Sequence, residues 1–441
     1  YKKVIEHLGC LSGTEVVPAR VDTSKTAVRL SKASSLASLK QRLLKAYSAC
    51  VRLIGSRSDA FVAGTYLPRT AEAKLQASIG QLPFVWRPVS WMGASAVLHM
   101  RNWEPITEGT NGFEHFLISL LPRQIPTAFL EGFGLILRRM ETQAWPKSPK
   151  LIFSSNALWG DPVTTAYVAE HTTRGTPLVY SQHGGVYGVA RFSTVEDHEI
   201  SVADTYLTWG WDDPVRRNVR PSGMVKMPPP RQGASNSRSN LLLVTLEEPR
   251  YPYALSSETM VMFEGYIANC FSFADFLSYD VREKLVVRLS GRDQGWNQAE
   301  RWQDTWPTIE LDLGHSTITS ALENTRLAVY TYNSTGFLEA FAANIPAILF
   351  WDHRVSTLRK SAEPYYDRLR QAGILHDTPE AAAKHINVVW QDVDAWWSSA
   401  LVQQALSVFR VRYCHCPPDF LIGLADSLRK VVDDQALSQR S

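Results

Sequence analysis

Thr176-Pro-Leu-Val-Tyr-Ser-Gln-His-Gly-Gly-Val-Tyr-Gly188 opens as an apolar run and closes as a glycine-rich loop. The run is continuously apolar rather than alternating, which reads as a strand buried on both faces of a parallel sheet. Loops at the C-terminal ends of such strands are where open α/β sheets place their chemistry. Gly184 and Gly185 allow backbone N–H groups to approach an anion closely. Glu196-Asp-His-Glu199 and Asp204-Thr-Tyr-Leu-Thr-Trp-Gly-Trp211 follow directly, so an imidazole and four carboxylates share one short stretch.

The same rhythm extends in both directions. Upstream, 58–63, 150–154 and 176–181 read as strands, with a short one near 205–208. Helical patterns cover 114–121 and 127–143, and another runs over 161–170 with Asp161 as N-cap and Pro162 at its first position. The Pro-, Ser- and Asn-rich stretch Met227–Asn240 has linker composition. Beyond it, strands at 241–246, 284–289, 308–311, 327–331 and 347–350 alternate with helices at 316–324 and 334–343. Residues 361–412 and 417–432 read as helical. Strands alternating with helices predict parallel sheets. The expected fold is therefore α/β and GT-B-like, with two Rossmann-like domains facing across a cleft and C-terminal helices. Residues 1–227 form the N-terminal acceptor and catalytic domain, 228–240 the linker, and 241–441 the nucleotide-binding domain with a helical tail.

Bulk properties agree. At 441 residues the chain exceeds the size of a single core. A hydrophobic content of 45% with 20% charged residues fits a globular protein. The formal net charge of +3, without a Lys/Arg run, gives no reason to expect nucleic acid. No apolar stretch is long enough to span a bilayer, no signal-peptide pattern opens the chain, and the start at Tyr1 suggests missing native residues. Five scattered cysteines suggest a reducing, cytoplasmic setting. Cys414-His-Cys416 lacks a second ligand pair, so structural zinc is not expected. Most of the fourteen tryptophans are expected in the core.

Several residues carry chemistry in this pattern. Ser334 and Thr335 stand where a strand gives way to a helix N-terminus, a setting for phosphate, although an ordinary N-cap looks the same. Glu339, one turn on, could accept from ribose hydroxyls. Arg288 and Arg292 flank a loop after another strand and suit phosphate or carboxylate. His315 could contact a base or phosphate, or cap a helix. Gln182, Gly184 and Gly185 line the motif loop around His183, a candidate general base or hydrogen-bond donor. Asp197, Glu199 and Asp204 are each candidate nucleophiles or bases, with surface charge as the plain reading of one or two. Glu131 lies inside an apolar helical pattern and needs a partner if buried.

Together Thr65-Tyr-Leu-Pro68, Ser155-Asn-Ala-Leu-Trp159, Gln182–Gly188, Glu196–Glu199, Asp204–Trp211 and Asn333–Glu339 resemble a bacterial family of surface-polysaccharide transferases. That family is related to the retaining β-Kdo transferases of capsule and O-antigen assembly, and the resemblance spans about residues 60–355. It implies a CMP-activated 3-deoxy-ulosonic acid donor (Kdo or a nonulosonic acid), a glycan or lipid-linked acceptor, and retention, plausibly by double displacement. It further implies Asp204 as nucleophile, Glu131 and His183 as acid/base or orienting partners, and Asp197 and Glu199 in reserve. No Asp-x-Asp motif stands beside a strand in a donor-like setting, so no metal or other cofactor is expected. A peripheral position at the inner membrane is compatible with such an acceptor. A nucleotide-sugar epimerase or hydrolase, a polyol-phosphate transferase using a CDP-linked donor, and a non-catalytic glycan-binding module are the competing readings.

Overall fold

Parallel pairing starts with Val62 of β1 (Phe61–Ala63) beside Phe153 of β2 (Ile152–Ser154), and Phe153 beside Val179 of β3 (Leu178–Ser181). Tyr180 then pairs with Tyr206 of β4 (Thr205–Thr208), and Leu207 with Arg220 of β5 (Val219–Pro221). The computed structural model describes Tyr47 and residues 59–89, 93–103, 111–226, 233–251 and 259–438. All but Tyr47 belong to one compact unit, Ile54–Ser441. The expected strand at 58–63 begins just outside the described residues.

The first sheet runs β1-β2-β3-β4-β5, wholly parallel. Its connections carry α1 (Arg69–Ser78), α2 (Gly112–Gln124), α3 (Phe133–Glu141), α4 (Pro162–Thr173) and α5 (Thr194–Val202). Asp161 caps α4 as expected, accepting from the Val163 and Thr164 N–H groups. β5 escaped a reading by pattern because Pro221 interrupts it; on the edge of a sheet a missing donor is tolerated.

The second sheet runs in the order β11-β10-β9-β6-β7-β8, again parallel. These strands are β6 (Asn240–Val244), β7 (Leu285–Arg288), β8 (Glu310–Asp312), β9 (Thr325–Tyr330), β10 (Ala347–Phe350) and β11 (Leu375–His376). The chain enters at β6, moves out to β8, then restarts on the other side at β9. That reversal opens a crevice at the C-terminal ends of β6 and β9, the place where such sheets take ligands. After β6 come α6 (Met260–Phe276) and α7 (Tyr279–Arg282); α8 (Gln298–Thr305) and α9 (Ile318–Glu323) precede β8 and β9. α10 (Thr335–Ala342) follows β9, and α11 (Glu363–Gln371) follows β10.

The region expected to be helical from 361 to 412 is interrupted by β11, then continues as α12 (Pro379–Val389), α13 (Val393–Trp397) and α14 (Ala400–Tyr413). The last helix, α15 (Phe420–Ser438), packs on α1, and Arg429 donates to the Ser78 carbonyl at 2.7 Å. The tail thus returns to the first sheet instead of staying with residues 241–441. One apolar core joins the two halves: Trp209 and Trp211 belong to the same buried cluster as Phe337, Phe409 and Tyr413. Trp209, Trp211, Trp296, Trp302 and Trp397 are buried, in keeping with a packing role.

Candidate functional site

Ser193 caps α5 by accepting from the Glu196 N–H at 3.2 Å, and this sets the whole loop. Glu196, Glu199 and Ile200 then fall at i, i+3 and i+4 and share the buried face. Asp197 and His198 face the other way. Asp197 is exposed and paired with Arg216 at 3.0 Å, so it is a surface charge and not a reacting group.

Glu199, only 2% exposed, gathers four donors. Its Oε1 accepts from His183 Nε2 at 2.8 Å, from Trp159 Nε1 at 2.8 Å and from the Tyr187 hydroxyl at 3.1 Å. Its Oε2 accepts from the Tyr206 hydroxyl at 3.2 Å. Burial first, then the Glu199 charge, pushes the Tyr187 and Tyr206 phenols far above their usual range, so both remain donors. A carboxylate can only accept, so His183 Nε2 carries the proton and turns Nδ1 away from Glu199. Tyr187 lies 2.7 Å from the same Nε2 and completes the clamp. The Tyr66 ring stacks over His183 at 6.1 Å. Tyr66 holds a left-handed backbone (φ +61°), a strained conformation retained where it presents a side chain.

Gln182 does not face a ligand. Its Oε1 accepts from the Trp209 N–H and Trp211 Nε1, and its Nε2 donates to the Gly184 carbonyl. It fixes the loop that carries His183. Glu131 is not in a helix interior either. The expected helix 127–143 breaks into a 3-10 turn, Thr127–Phe129, and α3, leaving Glu131 in the turn between. Arg101 grips both its oxygens, at 2.5 and 2.7 Å, and holds its carboxyl down at about 2. A carboxylate so committed is a structural anchor, not an acid or base. Asp204 sits at the N-terminal end of β4, accepting from the Leu178 N–H at 2.7 Å. His183 belongs to the opposite, C-terminal edge, about 13 Å along the sheet at 3.3 Å per residue. The arrangement gives Asp204 no access to chemistry at His183.

Across the cleft, the Gly185 N–H donates to Thr335 Oγ1 at 3.0 Å. A Cβ on Gly185 would stand 2.5 Å from the Ser334 carbonyl carbon, so only glycine permits this approach. Gly185 thereby lies against the N-terminus of α10, with Gly184 before it facing the Tyr187 ring. Ser334 occupies the N-cap without capping through its side chain, leaving its hydroxyl uncommitted to the helix. Tyr330, beneath Gly336 at the first turn of α10, buries a hydroxyl with no hydrogen-bond partner. Glu339 pairs with Lys226 at 2.8 Å, and the Lys226 ammonium rests 5.7 Å over the Tyr66 ring. That chain of contacts links both halves beside His183.

Arg288, at the end of β7, is held by Asp312 and donates to the Ser316 carbonyl at 2.6 Å. It braces the β7 and β8 loops, which leaves Arg292 and His315 exposed on their rim. β7 lies two strands from β9, about 10 Å at the usual strand spacing. Among the described residues, no cluster of three or more His, Cys, Asp or Glu side chains could hold a metal.

The pattern of residues concealed two further features. Glu196, fully buried, pairs with Arg359 of the second half at 2.8 Å and accepts from the Gly188 N–H at 2.6 Å. Trp159, Tyr187 and Tyr206 form the Glu199 shell. Reading α5 as a helix would have exposed both acids, because their i, i+3 spacing with Ile200 marks one buried face.

The model of the LIC12162 family transferases matches residues 8–428 of the chain. No curated protein matches it. Among solved structures, Acinetobacter baumannii MurG aligns at 13% identity, over 84% of this chain and 99% of its own, with a TM-score of 0.41. The glycosyltransferase SnogD from Streptomyces nogalater aligns at 15% identity, over 86% and 100%, with a TM-score of 0.41. Neisseria meningitidis UDP-GlcNAc 2-epimerase aligns at 11% identity, over 86% and 100%, with a TM-score of 0.40. Likeness this loose transfers no substrate. Among the described residues, no helix is long and apolar enough to cross a membrane.

Proposed function

This chain belongs to the LIC12162 family of transferases, and from that premise we propose that it is a glycosyltransferase. It moves a 3-deoxy-ulosonic acid, Kdo or a nonulosonic acid, from a CMP-activated donor to a surface glycan acceptor. The observation that carries this reading is the meeting of the His183–Gly185 loop with the N-terminus of α10. It sets an oriented imidazole beside a helix end suited to phosphate.

In this account the donor phosphate lies at Ser334 and Thr335, and Arg292 and His315 reach the nucleotide from the rim. Glu339 takes the ribose hydroxyls on exchanging Lys226. The positive end of α10 offsets charge on the departing CMP, and no metal or other cofactor enters the proposal. The acceptor hydroxyl must lose a proton as it attacks the anomeric carbon. His183 Nδ1 takes it, and Glu199 stabilises the imidazolium that forms. A single such attack inverts the anomeric centre; the retention that the motif resemblance implies needs a preceding displacement by an enzyme nucleophile other than Asp204.

The same oriented histidine also favours a second reading, a polyol-phosphate transferase acting on a CDP-linked donor. CMP leaves in both cases, so the mass of the product separates them. A thermal-shift series with CMP, CDP, UDP and GDP tests the nucleotide. CMP is expected to raise the melting temperature, and stabilisation by UDP or GDP instead overturns the reading.

A further inference from the structure

β1, β2 and β3 are parallel neighbours, so the loops that follow them leave the same edge of the sheet. The first loop carries Tyr66, the second Trp159 and the third His183. Trp159 Nε1 and His183 Nε2 each donate to Glu199 Oε1 at 2.8 Å, which keeps the two nitrogens within about 6 Å of each other. The N–H edge of Trp159 is thus sunk on a carboxylate only 2% exposed, yet Trp159 itself is 47% exposed. What faces solvent is the carbon surface of the indole. Tyr66, 42% exposed, stacks on the same imidazole.

Both aromatic residues are held in place by their own loops. The Ser155 and Asn156 N–H groups donate to the Gly64 carbonyl, at 3.2 and 3.1 Å, and the Trp159 N–H donates to the Asn156 carbonyl at 3.0 Å. A Cβ on Gly64 would stand 2.9 Å from the Ala157 nitrogen, so the two loops are keyed together. Thr65 Oγ1 donates to Glu72 at 2.6 Å and accepts from the Leu67 N–H at 3.2 Å, while Ser155 Oγ donates to the Thr65 carbonyl at 3.1 Å. These bonds bracket Tyr66 and sustain its left-handed backbone. An open aromatic ring forgoes the gain of burial, and a positive φ adds a cost of its own. Two such residues pinned beside one oriented imidazole mark a place where a ligand supplies the missing contact.

We propose that Trp159 and Tyr66 form a stacking subsite for one sugar ring of the acceptor. The C–H face of a pyranose packs on flat aromatic carbon, and its hydroxyls stay free at the ring edge to reach His183 Nδ1. The inference rests on the glycosyltransferase reading for the class of its occupant and does not depend on which donor is used.

The test is saturation-transfer NMR on the full chain, titrated with the methyl glycosides of glucose, galactose, rhamnose and N-acetylglucosamine in the presence of CMP. Transfer to the ring protons of at least one glycoside is expected. Trp159→Gln keeps an N–H for Glu199 but removes the aromatic face, and it is expected to weaken that binding about tenfold. Trp159→Phe keeps a face without the N–H and is expected to stay within about threefold of wild type. Tyr66→Asn removes the other ring with a residue that tolerates the left-handed backbone, and is expected to weaken binding about tenfold. Unchanged melting temperatures show that the variants fold. Stabilisation by CMP is expected to persist in all three variants; its absence from the wild type counts against the donor reading, while the glycoside titration still decides the subsite. No transfer to any of the four glycosides overturns the proposal, as does wild-type binding by Trp159→Gln or by Tyr66→Asn. An equal loss in Trp159→Phe and Trp159→Gln also overturns it, by assigning Trp159 to the support of Glu199 alone.

Discussion

Replacing Gly185 by Ala probes the junction between the two halves at its tightest point. The added Cβ would lie 2.5 Å from the Ser334 carbonyl carbon, and 2.6 Å from both the Ser334 oxygen and the Thr335 nitrogen. All three are backbone atoms at the start of a packed helix and cannot rotate away. Carbon contacts settle near 3.5 Å or more, so the loop must retreat by about 1 Å. The retreat stretches the 3.0 Å bond from Gly185 to Thr335 and shifts His183 relative to α10. Overpacking of this kind costs about 1–3 kcal/mol of stability, and a 1 Å misplacement at a reacting centre costs about a hundredfold in rate. Gly184→Ala is the control, because its Cβ meets only the Tyr187 ring, at 3.0 Å, and a side chain can give way. Both variants are assayed for CMP release and by thermal melting. Gly185→Ala is expected to lose about two orders of magnitude in kcat, and Gly184→Ala much less. Wild-type turnover in Gly185→Ala would refute the assigned geometry.

Three further outcomes are expected. Asp204→Asn keeps kcat within about threefold of wild type, because this carboxylate only ties β3 to β4; a loss beyond about a hundredfold would return it to the chemistry. Arg359→Ala strips the fully buried Glu196 of its main partner and lowers unfolding stability by about 3–5 kcal/mol in urea melts, with Glu196→Gln restoring part of the loss; a change under about 1 kcal/mol contradicts this. Burial, with His385 beside it, pulls His376 from 6.5 down to about 4. Below 6.5 the unfolded chain binds a proton that the folded one refuses. Stability should therefore fall from about pH 6.5 to 4, at up to about 1.4 kcal/mol per pH unit, and His376→Gln should flatten the melting profile over that range.

The two-sheet architecture was legible because parallel strands are continuously apolar runs, as in 347–350 and 176–181. Elements that depend on partners were not. β5 carries a proline that only an edge strand accepts, and α6 is apolar on most sides and lacks a clear stripe. The loop around His183 was legible from its glycines, yet the weighting of its carboxylates was not. Asp204 stands just before the apolar run of β4, at the strand's N-terminal end, so the strand-end rule argues against it and only the motif resemblance argues for it. The parallel register settles the conflict and sends Asp204 to the far edge. Glu131 misled for a related reason. Its partner, Arg101, is distant in sequence, and ion pairs leave no periodic trace.

Turnover by Glu199→Gln tests the central claim most directly. The account makes Glu199 the carboxylate that orients and charges His183, so acceptor-dependent CMP release should fall by about 10²–10⁴-fold in kcat. Donor affinity, read by thermal shift with CMP, should stay near wild type. Wild-type kcat in this variant would contradict the account.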